Sequence, residues 1–297
     1  MGSSTGDAGG RHTLGPHVVG TRIVVRRVLP GETGPSGGPA LTDLLGVCLG
    51  WADGICVVKP AEGPPVAVPI STIVSGKPVP PRASVRARVP AARAQRHGFA
   101  LFPDLETAPV GDWVLRDSAT ATARRAHSVL AFGPSGVADD VEQVLAHYRR
   151  PIAAVLTGSA EDQRLVGLGW VPESNESDTL FQVAGVASLS RALRGAQAPG
   201  ATLEEDGDWV RVRLGERATA YAAYGDDWVG LAGIEVSPAH RRQGLARAVI
   251  ATLVEWGAEH GATTAYLQVL GDNEPALALY ESLGFRTHHT YRYLTPG

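Results

Sequence analysis

Toward the C-terminal end of the chain, the spacing of apolar residues changes period in a fixed order. Residues 209–213 and 218–224 alternate weakly, and residues 228–236 form an apolar, branched run suited to a buried strand. Gly225-Asp-Asp227 separates the last two and predicts an antiparallel hairpin. A helical period follows: Leu245, Val249 and Leu253 lie four apart, with Ala246, Ile250 and Val254 as a parallel stripe, and Gly261 is placed to stop the helix. Residues 265–269 predict a strand. Residues 274–283 predict a helix with Asn273 as N-cap, Pro275 in its first turn and Gly284 as its stop, and residues 289–294 predict a closing strand.

The earlier part of the chain is patterned differently. Residues 1–18 are rich in Gly, Ser and His and predict a disordered tail. Short strand patterns at 20–28, 43–49, 54–59, 66–69 and 73–74, separated by turn residues, predict a small barrel over residues 19–80. Residues 81–109, opening with prolines and alternating Arg and Val, are assigned as a linker. Residues 110–190 predict strand 113–116, helix 138–149, strand 152–156, a short helix at 161–169 and a strand at 179–183. Within them Leu165-Val-Gly-Leu-Gly-Trp170 echoes Tyr280-Glu-Ser-Leu-Gly-Phe285. A weak joint at 190–203 leads into a C-terminal domain, residues 201–297.

Composition narrows the class. The chain has 297 residues and a formal net charge of -3, enough length for two or three modules and a balance that argues against a general nucleic-acid binder. Its two cysteines, Cys48 and Cys56, lie in apolar strand patterns and predict buried free thiols, and no cluster has metal-site spacing. The N-terminus lacks an apolar signal core, and no run reaches membrane-spanning length. A cytoplasmic protein with neither metal nor membrane partner is the expectation.

Candidate chemistry concentrates between strand 228–236 and the helix from Leu245. A turn at Ser237-Pro238 leads into Arg241 and Arg242, then Gly244, with Arg247 in the first helical turn. Free amides at a helix start, the positive end of its dipole and these arginines together predict an anion site for a phosphate or pyrophosphate. No Lys-Ser/Thr pair follows the glycine, and the three spaced glycines of a dinucleotide loop are absent. The spacing Arg241-x-x-Gly244-x-Ala246 instead resembles the acyl-CoA pyrophosphate loop of the GNAT superfamily of N-acetyltransferases. Tyr266-Leu-Gln-Val269, Asn273 and Ala278-Leu-Tyr-Glu-Ser-Leu-Gly-Phe285 resemble that family's next strand, loop and helix, in order.

The resemblance implies an α/β GNAT fold over the C-terminal domain, a degenerate GNAT-like middle segment without the basic loop, and an SH3-like barrel in front, as in an actinobacterial histone acetyltransferase-like group. The segment Thr122-Ala-Arg-Arg-Ala-His-Ser-Val129 resembles a motif of the same group and has no chemical role assigned. Acetyl-CoA is the implied cosubstrate. Its implied ligands are Ile234 and Val236 through their backbones, Arg241, Arg242, Gln243, Gly244, Leu245, Ala246 and Arg247 around the pyrophosphate, and Asn273. Tyr280 matches the family tyrosine that gives a proton to the coenzyme sulfur. Some protein N-terminal acetyltransferases carry a glutamate base at the position of Gln268, and an amide cannot serve there. Glu235, a lone carboxylate in an apolar strand, is the substitute; a solvated surface role is the alternative for it, and His240, His288 and His289 lack support.

The expected activity is acetyl transfer to a primary amine, small or protein-borne, by direct attack. Alternatives are a silent acyl-CoA sensor or scaffold and a protein-recruiting module. The last is disfavoured because Trp51 is the only aromatic residue in 19–93. A homodimer is compatible with all three.

Overall fold

A computed structural model describes residues 13–34, 37–79 and 85–297, in two compact units, residues 1–83 and 84–297. The first contains β1 (Arg22–Thr33), β2 (Pro39–Ala52), β3 (Ile55–Pro60), β4 (Val66–Pro69) and β5 (Ile73–Pro78), in the order β4-β3-β2-β1-β5. This is an open sheet, not the expected closed barrel. The chain passes from β4 through a single 3-10 turn, Ile70–Thr72, into β5, which pairs with β1, and among the described residues no ladder joins β4 to β5. Ile23, Val25, Cys48, Cys56, Val58 and Val68 are fully enclosed, and both thiols are free. Leu14 and Val18 pack into this core, so the end of the expected disordered tail is ordered. The rest of that tail, residues 1–12, lies outside the described residues.

The second unit begins inside the expected linker. Residues 91–101 are helical: α1 (Ala91–His97) runs into a 3-10 turn, Gly98–Leu101. Just ahead of it, Arg86 donates to Thr264 Oγ1 at 2.9 Å and to the Thr263 carbonyl at 2.9 Å. The helix was hidden because its residues are mostly Ala, Arg and Gln, which give no apolar stripe.

There follow β6 (Glu106–Val110), β7 (Trp113–Asp117), β8 (Val129–Leu130), α2 (Asp140–His147), β9 (Ala153–Leu156), α3 (Ala160–Gly167), β10 (Trp170–Pro172), β11 (Thr179–Gly185) and α4 (Val186–Ala192). The chain continues with β12 (Thr202–Asp206), β13 (Trp209–Arg213), β14 (Ala218–Gly225), β15 (Trp228–Val236), α5 (Leu245–Glu259), β16 (Thr264–Leu270), α6 (Glu274–Leu283) and β17 (Arg286–Pro296). One mixed 12-stranded sheet runs β12-β13-β14-β15-β16-β11-β17-β9-β8-β7-β6, with β10 on β17.

The sheet contains the same connection twice. β8 and β9 are parallel and joined through α2, as β15 and β16 are parallel and joined through α5. Each half then lends a strand to the other: β11 pairs with β16, and β17 pairs with β9. Between them β11 and β17 are antiparallel, with Phe181 opposite His289. On one face α4, α5 and α6 cover β13 to β16 through Leu189, Val249, Ile250, Leu253, Val254 and Leu283. α5 lies close because Gly257 leaves room for Val229, which a Cβ there would meet at 2.9 Å. On the other face α1 and its turn cover Phe181, Ala223, Trp228 and Tyr266.

The central strand pair carries a pH dependence. The His289 ring stacks on Phe181 at 4.8 Å, and its Nε2 lies 3.2 Å from Gln95 Oε1. Burial, with a smaller contribution from His288, pushes its imidazole down to about 3. Between that value and roughly 6.5, the unfolded imidazole's range, the unfolded chain binds a proton that the folded chain does not. Stability therefore falls as pH drops through this window. His97 and His288, also held low by burial, act in the same direction. Urea unfolding between pH 7 and pH 4 should show this decline, and His289→Phe should flatten part of it while costing about 1–3 kcal/mol at pH 7 from the lost hydrogen bond. Equal slopes in the two proteins would show that His289 is not a group responsible.

Candidate active site

The parallel ladder between β15 and β16 covers only Trp228–Gly230 against Thr264–Tyr266. β15 runs on to Val236 and β16 to Leu270, but from this point they part. Tyr266 stands at the fork. Its ring lies where a Cβ on Gly230 would have to sit, and its hydroxyl donates to the His97 carbonyl at 2.7 Å. A second device lies three residues on. Gly233 has φ +56, and the β14–β15 register slips between Tyr221↔Ala232 and Thr219↔Glu235, so β15 carries one extra residue. Tyr221 packs against the bare α-carbon of Gly233, 2.5 Å from an added Cβ. Beyond Gly230 the edge of β15 that faces β16 has no strand partner among the described residues.

The bulge also resets the alternation of side chains. Leu231, Ile234 and Val236 turn toward α5 and α6, although 231 and 234 are an odd number apart. Glu235 is thereby sent to the opposite face, where it is exposed and has no hydrogen bond or ion pair among the described residues.

The open edge leads into the basic turn. Arg242 adopts φ +62 and Gly244 φ +78, ψ 2, and α5 starts at Leu245 without a side-chain cap. The amides of residues 245–247 have no protein acceptor among the described residues, while Ala248 N–H donates to the Gly244 carbonyl at 3.0 Å. Arg241, Arg242, Gln243 and Gly244 are exposed, and Leu245 and Ala246 half-buried. Arg241 Nε is 3.4 Å from the Val236 carbonyl, and Gln243 Nε2 is 3.5 Å from that of Ala239.

Arg247 departs from its expected part. Its guanidinium donates to the Ala192 carbonyl at 2.6 Å and reaches Ser282 Oγ at 3.4 Å, bolting α5 to α4 and α6. What it presents at the helix start is its backbone amide. Asn273 caps α6, its Oδ1 accepting from Ala276 N–H at 3.3 Å.

Tyr280 lies on the inner face of α6, with its ring buried against Phe285. No protein group bonds its hydroxyl among the described residues, and burial pushes its phenol up to about 12. Gln268, in the middle of β16, belongs to a polar chain: its Oε1 accepts from Tyr291 Oη at 2.6 Å and from Gln95 Nε2 at 3.0 Å. Its own Nε2 is sealed from water without an acceptor. Gln95 and His97, which hold Gln268 and Tyr266, went unnoticed in the sequence because they fall within the presumed linker. Among the described residues no group of three or more His, Cys, Asp or Glu side chains could hold a metal, and no helix is long and apolar enough to cross a membrane.

The first half of the sheet has no counterpart of the basic turn. There α2 begins with a buried carboxylate, Asp140, which accepts from Ser135 Oγ at 2.5 Å and pairs with Arg164 at 2.7 Å. Leu165, fully buried, stands where α6 has Tyr280.

Comparisons with known proteins agree with this geometry. Residues 186–294 match the family described as "Probable histone acetyltransferase Rv0428c C-terminal". The chain is 28% identical over 301 residues to "Probable histone acetyltransferase Rv0428c" of Mycobacterium tuberculosis, spanning 93% of this chain and 95% of that one. A shorter stretch of 59 residues is 44% identical to the [Ribosomal protein bS18]-alanine N-acetyltransferase of Escherichia coli, 20% of this chain and 40% of the relative. Among solved structures, a GCN5-related N-acetyltransferase from Kribbella flavida shares the fold, with a TM-score of 0.50 and 20% identity over 71% of this chain and 95% of its own. The solved structure shows the fold of a GCN5-related N-acetyltransferase, and the basic turn, the parted strands and Tyr280 all lie within the C-terminal stretch that the family model matches.

Proposed function

We propose that the chain transfers an acetyl group from acetyl-CoA to a primary amine by direct attack, with no covalent enzyme intermediate, and that only its C-terminal half binds the coenzyme. The observation that carries this reading is the unpaired edge of β15 running into the uncapped start of α5. It offers free peptide groups followed by free amides and two exposed arginines, a match in shape and polarity for a pantetheine arm ending in a pyrophosphate. Ile234 and Val236 would hold the arm through their backbones. Arg241, Arg242, Gln243, Gly244, Leu245, Ala246 and the Arg247 amide would hold the pyrophosphate. Asn273 acts at one remove, fixing the start of the helix that carries Tyr280.

Acetyl-CoA supplies an acyl thioester already activated toward amines. Tyr280 Oη keeps its proton throughout the neutral range and lacks a protein partner, which suits it to protonate the departing sulfur. Glu235, sent by the bulge to the face opposite α5, is assigned to accept the amine's proton and pass it to solvent. Neither cysteine has a site context that supports a ping-pong route, since both are buried in the core of the first unit. The nature of the acceptor is left at a primary amine: one relative is named for histones and another for a ribosomal-protein alanine. A silent acyl-CoA sensor is the second reading, favoured by the amide of Gln268 at mid-strand, tied up by Gln95 and Tyr291.

Gly244→Glu should abolish acetyl-CoA binding, since it forces a side chain onto a left-handed residue and a carboxylate into an anion site. A matched change at Gly169, φ +88, should cost stability and leave coenzyme affinity of the folded protein intact. Calorimetry on folded protein compares them, and equal loss would contradict a single competent half. Tyr280→Phe should keep coenzyme affinity and lower turnover roughly 10–1,000-fold; full activity would remove it from the mechanism. Glu235→Gln should lose most activity at neutral pH and recover part of it at high pH, where free amine is abundant. Profiles taken with two acceptors of different basicity separate Glu235 from the amine itself, and unchanged profiles with both would exclude it.

A further inference from the structure

On the side of the sheet opposite α5 and α6 lies a groove of about 830 Å³ with an aromatic floor. Strand register fixes what stands along that floor. Asp206 on β12 is opposite Trp209 on β13, Arg211 opposite Tyr221 on β14, and Tyr221 opposite Ala232 on β15. Thr219, two residues before Tyr221 and so on the same face, is opposite Glu235. Directly opposed residues share a face, and Trp209, Tyr221 and Ala232 pack into the α1-side cluster around Trp228 and Tyr266. Glu235 therefore projects from the groove's face, one step along β14 from the Tyr221 ring. That ring also lies against Gly233, so the groove meets the bulge.

The groove's chemistry changes along its length. Its middle is apolar: Trp209 and Tyr221 stack with centroids 5.5 Å apart, and Phe102, Ala121 and Ala123 form part of the facing wall. Little there would bond a peptide backbone. β13 and β14 spend their peptide groups in ladders with each other and with β12 and β15. In the wall, Thr120 and Ala121 N–H donate to Asp104 and Ser118, and the Ala121 and Ala123 carbonyls accept from His127 Nε2 and Ala126 N–H. The floor does accept positive charge. Arg211 holds its guanidinium 4.9 Å from the Trp209 ring centre, with no ion-pair partner among the described residues. At the outer end Asp206 and Asp208 are exposed and likewise lack an ion-pair partner among the described residues.

From β15 to β12 is three strand spacings, about 14 Å. An occupant with its reacting nitrogen beside Glu235 must cross aromatic rings over that length, make few hydrogen bonds on the way, and end against two carboxylates. We infer that the acceptor is a long linear polyamine, whose distal ammonium is held by Asp206 and Asp208 while its methylenes lie on Tyr221 and Trp209. The near nitrogen gives one proton to Glu235 and bonds the acetyl carbon as the carbon–sulfur bond breaks. It then releases a second proton as the departing thiolate takes one from Tyr280. This inference rests on the acetyl-transfer reading above.

The test uses the full chain and acetyl-CoA, with thiol release as the readout, and compares decamethylenediamine with decylamine, which has the same length but a single charge. At low salt the diamine should show kcat/KM roughly 5–30 times that of the monoamine, the reach of an exposed ion pair plus a ring contact. Added salt should shrink that ratio. Replacing both carboxylates, Asp206→Asn with Asp208→Asn, should bring it near one by raising KM for the diamine, with calorimetric acetyl-CoA affinity unchanged. Arg211→Gln, which removes the resident cation from the Trp209 ring, should widen it. Putrescine, too short to span the groove, should gain nothing over butylamine. Equal kcat/KM for the diamine and decylamine would overturn the inference, as would a double variant that lowers both alike or a ratio that narrows in Arg211→Gln. Preference for pentalysine over every diamine would overturn it in favour of a basic peptide. Coenzyme binding without turnover of any diamine would overturn this inference alone, whereas absence of coenzyme binding would overturn the underlying reading.

Discussion

Everything proposed for this protein depends on two neighbouring parallel strands being kept apart. β15 and β16 share three residue pairs and then diverge, although both continue as strands. Two glycines make the divergence possible: Gly230 leaves space for the Tyr266 ring, and Gly233 supplies the left-handed residue of the bulge. Peptide groups on the freed edge must meet water or a ligand, since leaving them dry would cost about 1–3 kcal/mol each. The bulge has a second effect, because one extra residue resets the alternation and carries Glu235 to the face opposite Leu231 and α5. Strand separation, backbone donors and the placement of one carboxylate thus follow from the same local feature.

The two halves of the second unit use one connection pattern with different contents. In the first, an acidic residue, Asp140, begins the helix in an ion pair with Arg164, and a leucine stands in the tyrosine's place. In the second, the helix start is uncapped and follows two exposed arginines. Exchange of β11 and β17 makes each half complete the other's sheet, so the first half contributes to the candidate site without a basic turn of its own. Its contribution is the α1 face, where Gln95 holds Gln268 and His97 holds Tyr266.

The strand, basic turn and helix from Trp228 to Glu259 were legible in the sequence. A change of period from strand to helix, interrupted by arginines and a glycine, is a local pattern, and local patterns survive in one dimension. The N-cap at Asn273 and the stop at Gly284 were legible for the same reason. The α1 helix was not, because Ala, Arg and Gln give no stripe and its buried contacts are polar. Closure of the first sheet was also beyond reach, since it depends on whether β4 and β5 meet, which no local spacing records. Arg247 shows the converse error: a basic residue in the right turn of the helix can be engaged by a carbonyl from α4.

The claim that the parted strands form one competent coenzyme cleft is tested most directly by amide hydrogen exchange with and without acetyl-CoA. Added coenzyme should slow exchange at residues 232–236 and 244–247, whose amides line the open edge and the helix start. It should leave residues 131–140, the corresponding turn of the first half, unchanged. Protection of 131–140 instead, or no protection at 232–236 under saturating coenzyme, would contradict the account.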